Sequence, residues 1–258
     1  MSLTDAELAL AAAEAGAAVV RSLYGSTLDR FDKSMGDFAT SADLAAERAI
    51  LEVLRQARPG DAVLGEETGR TGEAEADRVW LVDPLCGTLN YAVRTPLVAV
   101  NVALRERGEV TAAAQVDPLA GEAFWTDSSA AWRRTAEGDG PLVPSSESFL
   151  VEVNLDPPFP TLVPTGLLAN PMFAEAFRPR VISSTLGLAW LACGRRAAYL
   201  TDGGDLRDSV HFAAGIAICR AAGCVVTGIH GEPLSTGAGG LLAAADAETH
   251  QALLAIIR

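Results

Sequence analysis

An apolar run ending in an acid, Val79-Trp80-Leu81-Val82-Asp83, leads directly into Pro84-Leu85-Cys86-Gly87-Thr88-Leu89-Asn90-Tyr91. A strand followed by a tight turn and a helix start exposes backbone N–H groups that can hold phosphate. An acid beside them can hold a divalent cation. Upstream, the apolar run Ala62-Val63-Leu64 opens onto Gly65-Glu66-Glu67-Thr68, and before it Asp37, Thr40 and Asp43 precede or open an expected helix. Far downstream, Val210-His211-Phe212-Ala213-Ala214-Gly215 starts another helix. Acids at successive strand ends can meet in one crevice of a layered sheet, and converging carboxylate oxygens suit Mg²⁺. A metal pair about 3.5–4 Å apart can clamp the attacking and leaving oxygens of a phosphoryl displacement. A hydroxyl such as Thr88, when hydrogen-bonded to an acid such as Asp43, can orient and deprotonate the attacking water.

The elements that must position these residues follow from periodicity and punctuation. Thr4-Asp5-Ala6-Glu7 has capping-box spacing and opens an Ala-rich helix to about Leu23. A second helix is expected from Thr40 or Ser41 to about Gln56, stopped by Pro59-Gly60. Short strands are expected at 62–65 and 79–82, with a polar loop from Arg70 to Asp77. Successive antiparallel strands follow at 97–104, 110–116 and 122–125, turning at Arg107-Gly108 and Pro118–Gly121. The stretch from Asp127 to Ser148 is polar, shows no period and is read as the division between an N-terminal α/β half (1–140), carrying the metal motifs, and a C-terminal α/β half (141–258), completing the cleft. That second half reads as a strand at 151–154, a Pro-rich loop, a helix at 166–177, a strand at 180–183, a helix at 185–194 and a strand at 197–200. A helix at 210–222, strands near 225–227 and 241–244 and a final helix from Asp246 complete it. Such mixed alternation predicts a layered α/β sandwich.

Composition narrows the partners. The chain has 258 residues, is 49% hydrophobic and carries a formal charge of -13, with Lys33 its only lysine. With no basic patch, nucleic acid and anionic membranes are excluded as expected partners. An anion site remains open where a cation reverses the local sign. The four cysteines, Cys86, Cys193, Cys219 and Cys224, have neither zinc-ribbon spacing nor a dense disulfide pattern; the last three are read as buried thiols. No basic region precedes an apolar leader and no run is long enough to span a bilayer, so a cytoplasmic location is expected. His230 and His250 read as surface residues, Trp125, Trp132 and Trp190 as core or interface anchors, and Trp80 as packing in the strand that delivers Asp83.

The ordered motifs together resemble the inositol monophosphatase superfamily of Mg²⁺-dependent, lithium-sensitive phosphatases, over nearly the whole chain. Lys33-Ser34 with Thr40-x-x-Asp43 resembles its N-terminal motif. Gly65-Glu66-Glu67 resembles its first metal motif, and Trp80 through Asn90 its central one. Ser183-Ser184-Thr185-Leu186 through Ala192-Cys193-Gly194 is similar to its Gly-Ser-Ala-Ala-Leu helix. Val210 through Gly215, followed by Ala221-Ala222-Gly223-Cys224, is similar to its Trp-Asp-x-Ala-Ala-Gly segment. The resemblance implies an αβαβα sandwich, a homodimer and hydrolysis of a small phosphorylated substrate. It implies that Glu66, Asp83 and the Leu85 carbonyl hold a first metal, Mg²⁺, that Asp43 and Thr88 orient water, and that the Gly87 and Thr88 amides hold phosphate.

Two positions depart from that pattern. Cys86 and His211 stand where the family carries acids that, with the shared Asp83, bind a second metal. Mg²⁺ suits sulfur and nitrogen poorly, whereas Cys, His and Asp form a plausible zinc set. Three readings stay open: an altered phosphatase holding Zn²⁺, Mn²⁺ or another ion there; an enzyme working with the first metal alone; or a non-hydrolytic relative that binds a phosphorylated small molecule or a partner. A fourth, Cys86 as nucleophile with His211 as base, lacks the arginine-bearing phosphate loop that cysteine phosphatases use. The substrate end departs too. Ile182-Ser183 replaces a Gly-Ser, and Thr201, next to Asp202, aligns with an acid that contacts inositol hydroxyls. The loop from Thr201 to Val210 is extended and contains Arg207, a candidate second anion contact. Ordinary myo-inositol phosphate is therefore not the expected substrate.

Overall fold

The computed structural model describes residues 3–34, 37–156, 162–204, 206, 208–236 and 239–257, the side chains of Ser34, Asp37 and Ser235 excepted. The first helix, α1 (Asp5–Leu23), begins with the expected capping box: Thr4 Oγ1 accepts from the Glu7 N–H, and Glu7 accepts from the Thr4 N–H. A hairpin, β1 (Arg30–Ser34) and β2 (Asp37–Thr40), leads into α2 (Ser41–Ala57). Then come β3 (Ala62–Gly65), β4 (Gly69–Thr71), β5 (Arg78–Cys86), the short α3 (Thr88–Ala92), β6 (Ala99–Glu106), β7 (Glu109–Asp117), β8 (Glu122–Thr126), β9 (Ala131–Thr135) and β10 (Gly138–Pro141). The remainder is β11 (Leu150–Asn154), α4 (Val163–Ala169), α5 (Pro171–Ala176), β12 (Arg178–Val181), α6 (Leu186–Ala192), β13 (Ala198–Thr201), α7 (Ala213–Ala221), β14 (Val225–Thr227), β15 (Leu241–Ala244) and α8 (Ala247–Ile257).

Among the described residues, the strands beyond the hairpin form an eight-stranded sheet ordered β10-β9-β8-β7-β6-β5-β3-β4 and a five-stranded sheet ordered β12-β11-β13-β15-β14. The buried apolar faces stack these sheets with helices into five layers. Helices α1 and α2 cover one face of the large sheet through Leu8, Ile50, Trp80, Val100 and Leu104. Its other face meets α7 through Ala213 and Ala214. Helices α6 and α7 lie against the small sheet through Leu188, Ile218, Tyr199 and Leu241. The outer face of that sheet is closed by α4, α5 and α8 through Leu167, Phe173, Leu200 and Leu253. The result is the αβαβα sandwich expected from the sequence. Gly16 lets α1 approach α2, because a Cβ there would meet Ile50 Cδ1 at 2.7 Å.

Several local expectations are corrected. The segment 127–148 supplies β9 and β10, which extend the large sheet; stacking of Trp125 on Trp132 across the β8–β9 pair holds them there. The expected helix 166–177 is two helices, because Asn170 caps α5 and Pro171 cannot continue α4. Strand β5 does not stop at Val82 but carries Asp83 and Cys86 within it. Helix α7 starts at Ala213, after a turn over 208–212. His250 is buried, bonded to Thr227, and is no surface residue, whereas His230 is exposed. Cys219 and Cys224 are buried thiols, while Cys193 is half-buried. Among the described residues, no helix is long and apolar enough to cross a membrane.

Candidate active site

Sheet register brings the first two acids together. β3 runs parallel to β5 with Gly65 opposite Val82, so the next residue of each strand, Glu66 and Asp83, emerges side by side. The Glu66 N–H donates to the Val82 carbonyl at 3.0 Å and fixes this alignment. The two carboxyl groups lie within hydrogen-bonding range of each other. Glu66 Oε2 is buried and has no hydrogen-bond partner. Burial and the neighbouring Asp83 charge push the Glu66 carboxyl up to about 9. Across the opening, Lys33 Nζ reaches Glu66 Oε1 at 2.9 Å and Glu67 Oε1 at 2.8 Å. Burial would lower the Lys33 ammonium, but these two carboxylates hold it raised.

The Gly65-Glu66-Glu67 turn has a brace that the sequence analysis missed. Glu47, buried on α2 one turn after Asp43, accepts from the Glu67 and Thr68 N–H groups, both at 2.9 Å. A Cβ at position 65 would fall 2.7 Å from Glu47 Oε1, which is why glycine stands there. The signal was present in the i, i+4 spacing of two acids on an otherwise apolar helix face.

Asp43 and Thr88 also meet. Asp43 is fully buried at the start of α2. Its Oδ2 accepts from the Thr40 N–H at 2.8 Å and the Thr40 hydroxyl at 2.5 Å, and its Oδ1 accepts from the Thr88 hydroxyl at 3.0 Å. Burial raises the Asp43 carboxyl despite these bonds. The Leu85 carbonyl lies 3.2 Å from the Thr88 hydroxyl. Gly87, with φ of 96°, makes the left-handed turn into α3, and a Cβ there would meet the Leu97 carbonyl at 2.8 Å.

Cys86 and His211 join Asp83. His211 Nδ1 lies 2.7 Å from Asp83 Oδ2, and one donor atom from each of Asp83, Cys86 and His211 falls within 4.8 Å of the others. Burial would lower the His211 imidazole, but the Asp83 charge and hydrogen bond push it up to about 12. Burial would raise Asp83, yet His211 holds it below the ordinary carboxylate range. Burial keeps the Cys86 thiol raised. Beneath Asp83 lies a polar pair that went unnoticed in the sequence. Asn101 Nδ2 approaches Asp83 Oδ2 at 3.4 Å and Thr185 Oγ1 at 3.2 Å, and Gln115 Nε2 donates to Asn101 Oδ1 at 2.7 Å. Asn101 and Gln115 are cross-strand partners in β6 and β7. Two amides interrupting facing apolar runs were the available clue.

The candidate substrate residues lie elsewhere in the local network. Ser183 donates its hydroxyl to Asp156, and its carbonyl accepts from Asn90 Nδ2 at 2.6 Å, which ties this segment to α3. Thr201 and Asp202 are buried. The Thr201 hydroxyl donates to the Asp202 carbonyl, and the Asp202 carboxylate accepts from the Gly203 and Leu162 N–H groups. Arg207 and the Asp37 side chain lie outside the described residues.

The oxygen-only set of Glu66, Asp83 and the Leu85 carbonyl, with one buried carboxylate oxygen lacking a donor, fits a hard divalent cation. A layered αβαβα sandwich that gathers oxygen donors where β3 and β5 lie side by side is a fold and site in which a divalent cation could be held. The model of the inositol monophosphatase family matches residues 2–258, and the chain belongs to that family. It is 34% identical over 264 residues to inositol-1-monophosphatase ImpA of Mycolicibacterium smegmatis, covering 97% of this chain and 91% of that one. It is 33% identical over 220 residues to Nus factor SuhB of Xylella fastidiosa, covering 80% and 74%. The solved structure of extragenic suppressor protein suhB from Bartonella henselae superposes with a TM-score of 0.84 at 25% identity, covering 97% of each chain.

Proposed function

We propose that the chain hydrolyses a small-molecule phosphate monoester with a hard divalent cation, Mg²⁺ by preference, held by Glu66, Asp83 and the Leu85 carbonyl. When bound, the ion supplies positive charge that draws phosphate into an acidic cleft and acidifies water. The chain's own part begins with Thr88. Its hydroxyl proton is directed at Asp43, so an oxygen lone pair is left to accept a hydrogen bond from the attacking water. Asp43, already bonded by Thr40 and raised by burial, is the acceptor at the end of that relay. The Gly87 and Thr88 amides would hold the phosphate. Lys33 offers a second positive group at the mouth of the cleft. Ile182 adds bulk where the family has glycine, and Thr201 lacks the charge of the family's acid, so the substrate differs from ordinary myo-inositol phosphate. A homodimer and a cytoplasmic setting belong to this reading; four free cysteines suit a reducing compartment.

The observation that carries the proposal is the 3.0 Å Thr88–Asp43 bond next to the paired carboxylates of Glu66 and Asp83. The test is phosphate release from inositol, sugar, nucleotide and aryl phosphates with Mg²⁺. Thr88→Ala and Asp43→Asn should each lower kcat by about 10²–10⁴ with little change in KM. Turnover that survives both changes, or no turnover of any ester, removes the proposal. The absence of turnover would favour the second reading, a binding relative. Cys86 and His211 support that alternative, as does the name Nus factor SuhB borne by one similar protein.

A further inference from the structure

Cys86 and His211 have no part in the hydrolytic reading above, yet the fold delivers both to Asp83. In a regular strand, residues three apart point to opposite faces. Between Asp83 and Cys86 the pairing with β6 slips, so that Asp83 faces Asn101 and Cys86 faces Ala99. This bulge takes up one residue and returns Cys86 to the face that Asp83 occupies. His211 arrives from the turn before α7, where its N–H donates to Ser209 Oγ at 3.3 Å. The three side chains thus come from two separate elements and present oxygen, sulfur and nitrogen within 4.8 Å.

Their surroundings are built in the way that ligands are usually supported. Asn101 approaches Asp83 Oδ2, Gln115 holds Asn101, and Thr185 lies within hydrogen-bonding range of both Asn101 and the Cys86 thiol. Mg²⁺ does not fit this set, because only one of the three donors is a hard oxygen. Zn²⁺ takes all three donor types, and three protein ligands leave a fourth position open.

We propose that Asp83, Cys86 and His211 form a site for a soft or borderline divalent ion of the zinc class, which excludes magnesium. Asp83 is shared with the hard-cation site, so this inference deepens the hydrolytic reading and rests on it only through Asp83. Ion binding releases the Cys86 thiol proton and any proton on the ligating His211 nitrogen to solvent.

The test uses Co²⁺ as a spectroscopic substitute and the full-length chain freed of metal by chelation. Co²⁺ should produce a thiolate-to-cobalt absorption band at one equivalent. Zn²⁺ should remove the band and excess Mg²⁺ should not. Cys86→Ser should abolish it, Cys193→Ser should leave it, and His211→Gln should weaken Co²⁺ binding by at least the roughly 10–100-fold that loss of even an outer-shell partner produces. In the unmodified protein, Zn²⁺ but not Mg²⁺ should protect Cys86 from alkylation, read by mass spectrometry of its peptide. Absence of the thiolate band, its survival in the folded Cys86→Ser variant, its displacement by Mg²⁺, or alkylation of Cys86 at the same rate with Zn²⁺ overturns the proposal. Mg²⁺-dependent phosphate release measured alongside separates the two readings: turnover without the band sinks the soft site alone, and the band without turnover sinks hydrolysis alone.

Discussion

At the scale of single residues, the acids and hydroxyl of the candidate site were readable because each sits where a strand or turn hands over to the next element. Gly65-Glu66, at the end of β3, lies by register beside Val82-Asp83 within β5, and Thr40-x-x-Asp43 is a capping box whose acid has a second oxygen left for Thr88. Glu47 was not readable as part of the site, since a glutamate within a helix is ordinarily solvated. Here it is 1% exposed and is the acceptor for two backbone N–H groups of the metal-site turn. Glu47→Ala takes the acceptor from both donors, at about 1–3 kcal/mol for a buried orphan, and the larger share falls on the Glu67 N–H because Thr68 is exposed. It should therefore lower stability in urea unfolding by about 1–3 kcal/mol. The same change frees Glu66 to drift, and a displacement near 1 Å costs on the order of 100-fold in turnover. Glu47→Gln keeps one acceptor oxygen and should fall between wild type and Ala in both measurements. If Glu47→Ala unfolds at the wild-type urea concentration, the brace is not structural.

At the scale of elements, periodicity and caps gave the long helices and the central strands, and failed where tertiary packing overrides local pattern. β9 and β10 are polar and short. What makes them strands is the pairing of Trp132 opposite Trp125, a contact no local window contains. Asn170-Pro171 was a readable break that the apolar run on either side concealed. The last helix holds a further case, because His250 is 4% exposed on α8 and lies 2.9 Å from Thr227 Oγ1 on β14. The Thr227 hydroxyl donates to the Gly228 carbonyl, so the imidazole Nε2–H is the donor to Thr227. Burial lowers its pKa below the ordinary 6.5. The unfolded chain then binds a proton that the folded chain refuses, so stability is full above the unfolded value and is lost as pH falls through it and toward the folded one. Wild type should lose more unfolding free energy than His250→Gln between about pH 7.5 and 5.5. Parallel lines for the two proteins in chemical unfolding would remove this role for the α8–β14 contact.

At the scale of the whole molecule, a formal charge of -13 and a cleft that gathers Glu66, Glu67 and Asp83 set stability against function. Glu66, pushed up to about 9 by burial and by Asp83, is ionised at neutral pH only at a cost to the folded state. Raising a carboxyl above its unfolded value means that the folded chain binds protons more readily, so near pH 7 this group subtracts from stability. Lys33 offsets part of that cost. A divalent cation in the oxygen set should offset more of it, and ligand linkage gives about 2.7 kcal/mol at a hundred times Kd. For a chain of this size that corresponds to a rise in Tm of roughly 5–10 °C. Sodium chloride at matched ionic strength screens the overall charge and should supply only the small remainder. Glu66→Gln removes both the carboxyl whose ionisation the folded state resists and the charged ligand. Its metal-free Tm should therefore lie above that of wild type, while its response to Mg²⁺ should shrink to that of sodium. Melting curves that cross in this way would mark Glu66 as held in the cleft at the expense of stability. An undiminished magnesium response in Glu66→Gln would place the ion elsewhere and leave the paired carboxylates without their assigned task.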